Sequence, residues 1–244
     1  MRLIKISMRF ALLLKDDFSG ATVAGAGQRF LVDGRPVTPV RKPDGFYVFL
    51  AEPNERPKPK TVWRVTVESA HYETRTVRIR ADTLEENGAL YTVQLYRKPH
   101  SGFSDCRWME AEAVPGILAV ALIDGGDAPL SLRGLSEDGR SLRLAGYSAA
   151  NLLWRGVYVG KGRRAELFTL TGRTAEGAYT PDRAARWPHE PGEPVLLAAC
   201  APADASGLCR IPLRPEWENA EKTILAYDEE AMRWRATSCA RARR

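Results

Sequence analysis

A chain of 244 residues can bury one large core or two ordinary ones, and 44% hydrophobic with 27% charged residues excludes a disordered or low-complexity polymer. No run approaches the roughly 18 apolar residues of a membrane-spanning helix, so no membrane span is expected. The net charge of +6 is unevenly spread: residues 1–100 carry 17 basic and 11 acidic side chains, and residues 101–244 carry 19 of each. Five arginines, Arg233, Arg235, Arg241, Arg243 and Arg244, crowd the last twelve residues. Such asymmetry suits contacts between unlike surfaces of neighbouring subunits, or a basic tail laid on an acidic partner. No nucleic-acid-binding motif accompanies the arginines, so protein partners are expected ahead of nucleic acid.

Basic residues precede Phe10, Ala11, Leu12, Leu13 and Leu14, but Lys15-Asp16-Asp17 ends that apolar run. It falls short of the roughly seven to fifteen residues of a secretory leader, so the segment is expected to be the first strand of a protein assembled in a cytoplasm. Phe10, Leu12 and Leu14 alternate onto one face. Asp16-Asp17-Phe18-Ser19-Gly20 is a turn-rich cluster. Phe30-Leu31-Val32 follows, then the Asp33-Gly34 turn and Arg35-Pro36-Val37, where the proline predicts an edge strand. Pro43-Asp44-Gly45 delivers Phe46 to Leu50, and residues 53–60, with three prolines, predict a stiff loop. Residues 61–68, 74–80 and 90–96 each alternate. About seven short strands separated by turn signals predict a sandwich.

The order Leu14-Lys15-Asp16-Asp17-Phe18-Ser19-Gly20, an arm to Val32-Asp33-Gly34, then Arg41 to Phe49 through Asp44-Gly45-Phe46-Tyr47 resembles the transthyretin-like, or carboxypeptidase-regulatory-like, β-sandwich family. The resemblance covers about residues 8–97, and the proline-rich loop departs from the family pattern. It implies a structural or binding module without catalysis.

Residues 97–112 predict a linker and the entry to a second domain, giving a sandwich at 1–98, a linker at 99–114 and a second β-rich domain at 115–244 with a short basic tail. Residues 117–123 are continuously apolar and predict a buried strand closed by Asp124-Gly125-Gly126-Asp127. Residues 129–135 and 140–144 flank Glu137-Asp138-Gly139, and residues 152–159 and 165–170 flank Gly160-Lys161-Gly162. Residues 194–199 and 208–213 continue the β texture, and residues 216–228 suit either one helix or another strand. The expected fold class is all-β: an Ig-like or transthyretin-like antiparallel sandwich followed by a barrel or second sandwich.

No catalytic, cofactor or metal residue is assigned. Cys106, Cys200, Cys209 and Cys239 lack zinc spacing, which leaves free thiols as the expectation and a Cys200–Cys209 disulfide open. His71, His100 and His189 are expected at the surface, without a carboxylate or cysteine at ligand spacing. Gly160-Lys161-Gly162 lacks the spacing of a phosphate loop, and Asp124 to Asp127 lack the oxygens that calcium prefers, so both predict ordinary turns. Trp63 and Trp154 are expected in the core; Trp108, Trp187, Trp217 and Trp234 stand among charged residues and are expected to be exposed. Trp217 and Trp234, with the five tail arginines, form the candidate interface.

The expected role is a non-enzymatic structural or adaptor subunit of a homo- or hetero-oligomeric assembly. A phage tail or a phage-tail-like contractile injection system, assembled in the cytoplasm, is the setting that fits by architectural analogy. A carbohydrate-binding β-sandwich protein is the alternative, and a hydrolase with dispersed carboxylates comes third.

Overall fold

The computed structural model describes residues 7–25, 27–51, 60–82, 89–123, 130–146, 152–229 and 231–234. The chain divides into two compact units, one from Met1–Asp16 and Ala21–Ser101, the other from Asp17–Gly20 and Gly102–Arg244. Both are built from β-strands.

The first unit contains β1 (Met8–Asp16), β2 (Gln28–Val32), β3 (Arg35–Val37), β4 (Val40–Arg41), β5 (Phe46–Leu50), β6 (Val62–Ser69), β7 (Arg75–Arg80) and β8 (Leu90–Leu95). They form two four-stranded sheets, ordered β4-β5-β1-β8 and β3-β2-β6-β7. Period-two alternation turns Phe10, Leu12, Leu14, Tyr47 and Phe49 of one sheet and Phe30, Val32, Trp63 and Val65 of the other into the core. Aromatic rings knit the two layers: Phe10 packs on Trp63 at 5.4 Å between centroids, and Phe30 meets Phe49 edge-on at 5.5 Å. Pro36 does lie in an edge strand, where its missing N–H costs no ladder bond. At the Asp33-Gly34 turn both residues adopt positive φ, 50° and 79°, the twist a two-residue hairpin requires. The Asp33 carboxylate also accepts the Arg64 N–H at 2.9 Å.

One direction differs from the expected antiparallel sandwich. β8 runs parallel to β1, from Ala11 opposite Leu90 to Asp16 opposite Leu95. The chain reaches β8 from the other sheet, and such a crossover permits the parallel direction that a tight hairpin forbids. Asp16, grouped by sequence with the turn, instead ends β1 as a buried strand residue. Arg97 Nε donates to its two oxygens at 3.2 and 2.9 Å, Arg97 Nη2 lies 2.8 Å from Oδ2, and the Tyr72 hydroxyl donates at 3.1 Å. A carboxylate and a guanidinium, each 4% exposed, are thus paired where the end of β1 meets the segment after β8.

The second unit contains β9 (Arg107–Glu112), β10 (Leu118–Ile123), β11 (Leu130–Leu135), β12 (Leu142–Ala145), β13 (Gly156–Val159), β14 (Glu166–Arg173), β15 (Tyr179–Pro181), β16 (Pro194–Pro202), β17 (Leu208–Leu213), β18 (Lys222–Asp228) and β19 (Arg233–Trp234). The strands β11-β12-β15-β14-β13-β16 follow one another, and β16 pairs back to β11 through Val195 opposite Leu130, closing a six-stranded barrel. Register shifts at Gly134 and Gly172 mark where β11 and β14 bend around it. Leu132, Leu142, Val157, Phe168, Leu170 and Val195 fill the interior. β10, β18 and β19 extend the sheet beyond β16. The β17–β9 pair supplies Cys209, Ile211 and Ala111 to a second core with Ala119, Ala121, Ala199 and Ala201, side chains small enough for two layers to approach closely.

Three local expectations change. β9 occupies residues read as linker, since its pairing with β17 spans a hundred residues and leaves no local signal. Residues 216–228, left open between one helix and another strand, are a strand over Lys222–Asp228 that a 3₁₀ turn at Pro215–Trp217 precedes. Trp154 lies in a turn before β13 and is only half-buried. Cys200 and Cys209 are buried free thiols, and burial pushes the Cys209 thiol up to about 11. Residues 53–59, Asp124 to Asp127, Cys239 and Arg235, Arg241, Arg243 and Arg244 lie outside the described residues.

Removing one partner of a buried ion pair leaves the other charge uncompensated, which costs about 3–5 kcal/mol. Arg97→Met should therefore lower urea stability by about that amount, and Asp16→Leu combined with Arg97→Met should recover most of it. A double variant no more stable than the single one would show that the pair is not the source of the loss.

Candidate functional site

Two groups of ionisable side chains stand together in the second unit. The first gathers around Glu166, the opening residue of β14, whose side chain is 5% exposed. Arg183 Nη1 donates to Oε1 at 2.7 Å, the Trp187 N–H to Oε2 at 3.0 Å and the Arg186 N–H to Oε2 at 2.9 Å. His189 Nε2 lies 3.2 Å from Glu166 Oε2, and its Nδ1 lies 2.7 Å from Glu193 Oε2. A carboxylate facing each ring nitrogen favours the imidazolium form of His189. Burial alone would raise the Glu166 carboxyl, but the bonds from His189, Arg183 and the Trp187 N–H outweigh it and hold it at about 2. For His189 the bond to Glu166 raises the pKa most, against desolvation, with Glu193 adding to the rise.

This arrangement corrects the expectation of a surface histidine. His189 is buried and paired with two carboxylates, while His71 and His100 are exposed. The four-residue spacing to Glu193 was visible in the sequence, but that spacing brings side chains together in a helix, and no helix was predicted there. Glu166 lies 23 residues away and only the barrel brings it near. Chemically the cluster is saturated. With both nitrogens of His189 engaged and Arg183 also donating to the Leu167 carbonyl, the network clamps residues 183–193 across the start of β14.

The second group lines a cleft of about 330 Å³ made by Phe18, Ser19, Asp105, Leu153, Arg155, Arg214 and Pro215, all of the second unit. Trp217, buried contrary to the exposure expected of it, lines a smaller pocket that shares Phe18, Arg155 and Arg214 with the cleft. Two guanidinium groups face this indole, Arg155 at 5.8 Å and Arg214 at 5.6 Å from the ring centroid. Arg214 also lies 4.9 Å from the Phe18 ring and donates to the Phe18 carbonyl at 2.6 Å. Burial lowers the Arg155 pKa from its ordinary value, partly offset by the charge of Glu216. Trp154 shapes the wall. It holds φ at 62°, a conformation costly for a bulky residue, with its N–H on the Leu170 carbonyl at 2.6 Å, and so sets Leu153 and Arg155 on either side of a tight turn. A Cβ at Gly20 would lie 2.3 Å from Trp154 Cβ, so that position, with φ of 75°, admits only glycine.

The remaining candidate residues are dispersed. Trp234 is half-buried between Tyr158 and Tyr227 and donates to the Ala165 carbonyl at 2.7 Å, while its neighbour Arg233 is exposed. Trp108 is half-buried; Trp187 is 39% exposed and carries Arg186 over its ring at 5.3 Å. Among the described residues no group of three or more His, Cys, Asp or Glu is placed to hold a metal ion, and no helix is long and apolar enough to cross a membrane. The chain matches no protein-family model, no curated protein and no solved structure.

The two shifted groups set opposite pH limits. The raised His189 contributes fully below 6.5 and loses its contribution as pH climbs through its raised value; the lowered Glu166 contributes fully above 4.5 and loses it as pH falls toward 2. His189→Gln should cost about 3 kcal/mol between those limits, with the deficit shrinking at alkaline pH, as read from urea titrations of both proteins. A deficit constant from pH 5 to pH 10 would assign the loss to packing alone. Gly20→Ala should destabilise the second unit by at least about 1–3 kcal/mol, measured by thermal unfolding.

Proposed function

We propose that the protein is a non-enzymatic structural or adaptor subunit that docks on an acidic protein surface through the basic outer face of its first unit. One observation carries this reading. On the sheet β3-β2-β6-β7, Arg64 stands directly opposite Arg78 across β6 and β7, with the 47% exposed Val62 opposite Arg80 beside them. Two exposed guanidinium groups side by side complement an acidic partner surface. The flanking Arg29–Glu68 and Arg80–Asp82 pairs supply the polar surround of a docking patch.

The saturated Glu166–His189–Glu193 cluster supports the same reading, because its acid-base groups are occupied in holding the barrel together. Edge strands β3 and β7 add backbone groups for strand addition. A transthyretin-like first unit, serving in a cytoplasmically assembled machine such as a contractile injection system, is the finer form of this proposal. The carbohydrate-binding alternative retains one exposed indole, that of Trp187, and an arginine already lies over it.

Light scattering of the full chain, and mass spectrometry of the assembly isolated from its native source, test the proposal. Self-association or a defined set of co-assembled subunits is expected, weakened at least tenfold by Arg64→Glu with Arg78→Glu and by about 1 M salt, where screening extends only ~3 Å. A chain that stays monomeric and belongs to no isolated assembly overturns it.

A further inference from the structure

We infer that the outer face of the sheet β4-β5-β1-β8 is the surface on which two copies of this chain meet, sheet against sheet. Where one face of a sheet lines a core and the other meets water, the outward residues are polar. Here both faces are apolar. Phe10, Leu12, Tyr47 and Phe49 point into the sandwich. The residues between them make an outward row across all four strands: Val40 stands opposite Val48, Val48 opposite Ala11, and Ala11 opposite Leu90. Leu13 opposite Phe46 adds a row on one side, and Met8 opposite Leu50 a row on the other. The fold does not bury this face, since Met8 is 46% exposed and Val40 and Leu50 are each 43% exposed. The outer face of the companion sheet carries Arg64, Thr66 and Arg78 instead.

Size and charge select the occupant. Strands about 4.8 Å apart that rise about 3.4 Å per residue give this face roughly 300 Å², as much contiguous apolar surface as a monomer leaves in water. The chain has little of its own to cover it. An extended run through residues 1–6 would turn only Ile4 and Ile6 to one side, with Arg2, and residues 52–59 and 83–88 hold one aliphatic side chain, Leu84. A charged partner gains little here, because Lys15 is the one ionisable strand residue on the face among the described residues, and its amine donates to Thr22 Oγ1 at 2.9 Å. A second copy brings an apolar face of the same size. A two-fold axis lying between the sheets and across the strands sets the two Lys15 side chains at opposite ends, so no like charges meet. Two such faces bury less than the roughly 1,200–2,000 Å² of a stable interface, so the dimer is weak, with a Kd no tighter than about 1 µM. Copies held side by side through their basic faces would have about millimolar effective concentrations, at which such a contact fills. The dimer itself does not depend on that docking.

Sedimentation equilibrium of the full chain, from about 1 µM to about 1 mM in about 1 M salt that screens the basic face, should show monomers in equilibrium with dimers. Val40→Lys with Leu50→Lys, both at exposed positions, should weaken dimerisation at least tenfold. Val40→Thr with Leu50→Thr keeps β-propensity and should weaken it in the same direction, which separates loss of contact from loss of fold. Arg64→Glu with Arg78→Glu should leave the dimer unchanged. In a mixture of ¹³C-methyl-labelled and unlabelled copies, the Leu13 and Val48 methyls should show contacts between copies. A chain that is monomeric at about 1 mM, a dimer indifferent to both pairs of changes at residues 40 and 50, or contacts from these methyls to Ile4 or Ile6 of the same copy overturns the inference. A salt-sensitive assembly without the salt-resistant dimer overturns this contact alone. The dimer without any larger assembly leaves the contact standing and tells against docking through the basic face.

Discussion

The second unit depends on a single strand serving two structures. β16 is nine residues long, and its first half closes the barrel by lying between β11 and β13. Its second half, through Pro202, pairs with β10 and carries Ala199 and Ala201 into the other core. Val195 inside the barrel and Ala201 in the small-residue core belong to the same run of chain. The Glu166 network sits where it can protect that arrangement, since Glu193 immediately precedes β16 and Glu166 begins β14.

Both units place buried charge at points where chain segments distant in sequence meet. Asp16 and Arg97 are 81 residues apart, and Glu166 and His189 are 23 apart. Hydrophobic packing is permissive about register, whereas a carboxylate with two or three donors tolerates little displacement. Such pairs add modest net stability and exact a large penalty when half of one is lost. They therefore make the intended pairing the one arrangement in which no charge is stranded.

These internal clusters contrast with the basic outer sheet face and the arginine cleft. Arg97 and Arg183 each meet a carboxylate within the fold, Arg64 faces Arg78 across β6 and β7, and Arg155 and Arg214 lie over the same indole. The two surfaces differ in kind. On the sheet face the arginines are exposed to solvent, while in the cleft they are half-buried beside aromatic rings.

The sequence by itself determined what local sterics and alternation control. Phe10, Leu12 and Leu14 alternate into a core because a strand turns every second side chain inward, and Asp33-Gly34 turns because those residues tolerate positive φ. Strand positions, the edge placement of Pro36 and the all-β class follow from such rules. Which strand pairs with which does not, since alternation names a face and never a partner. The parallel entry of β8, the recruitment of β9 by β17 and closure of the barrel between β11 and β16 were decided only in the tertiary structure. So were the fates of polar residues. His189 acquired two carboxylates and Trp217 went beneath two arginines because long-range pairing brought distant segments together, and the environment of an ionisable group depends on those neighbours rather than on its own position in the chain.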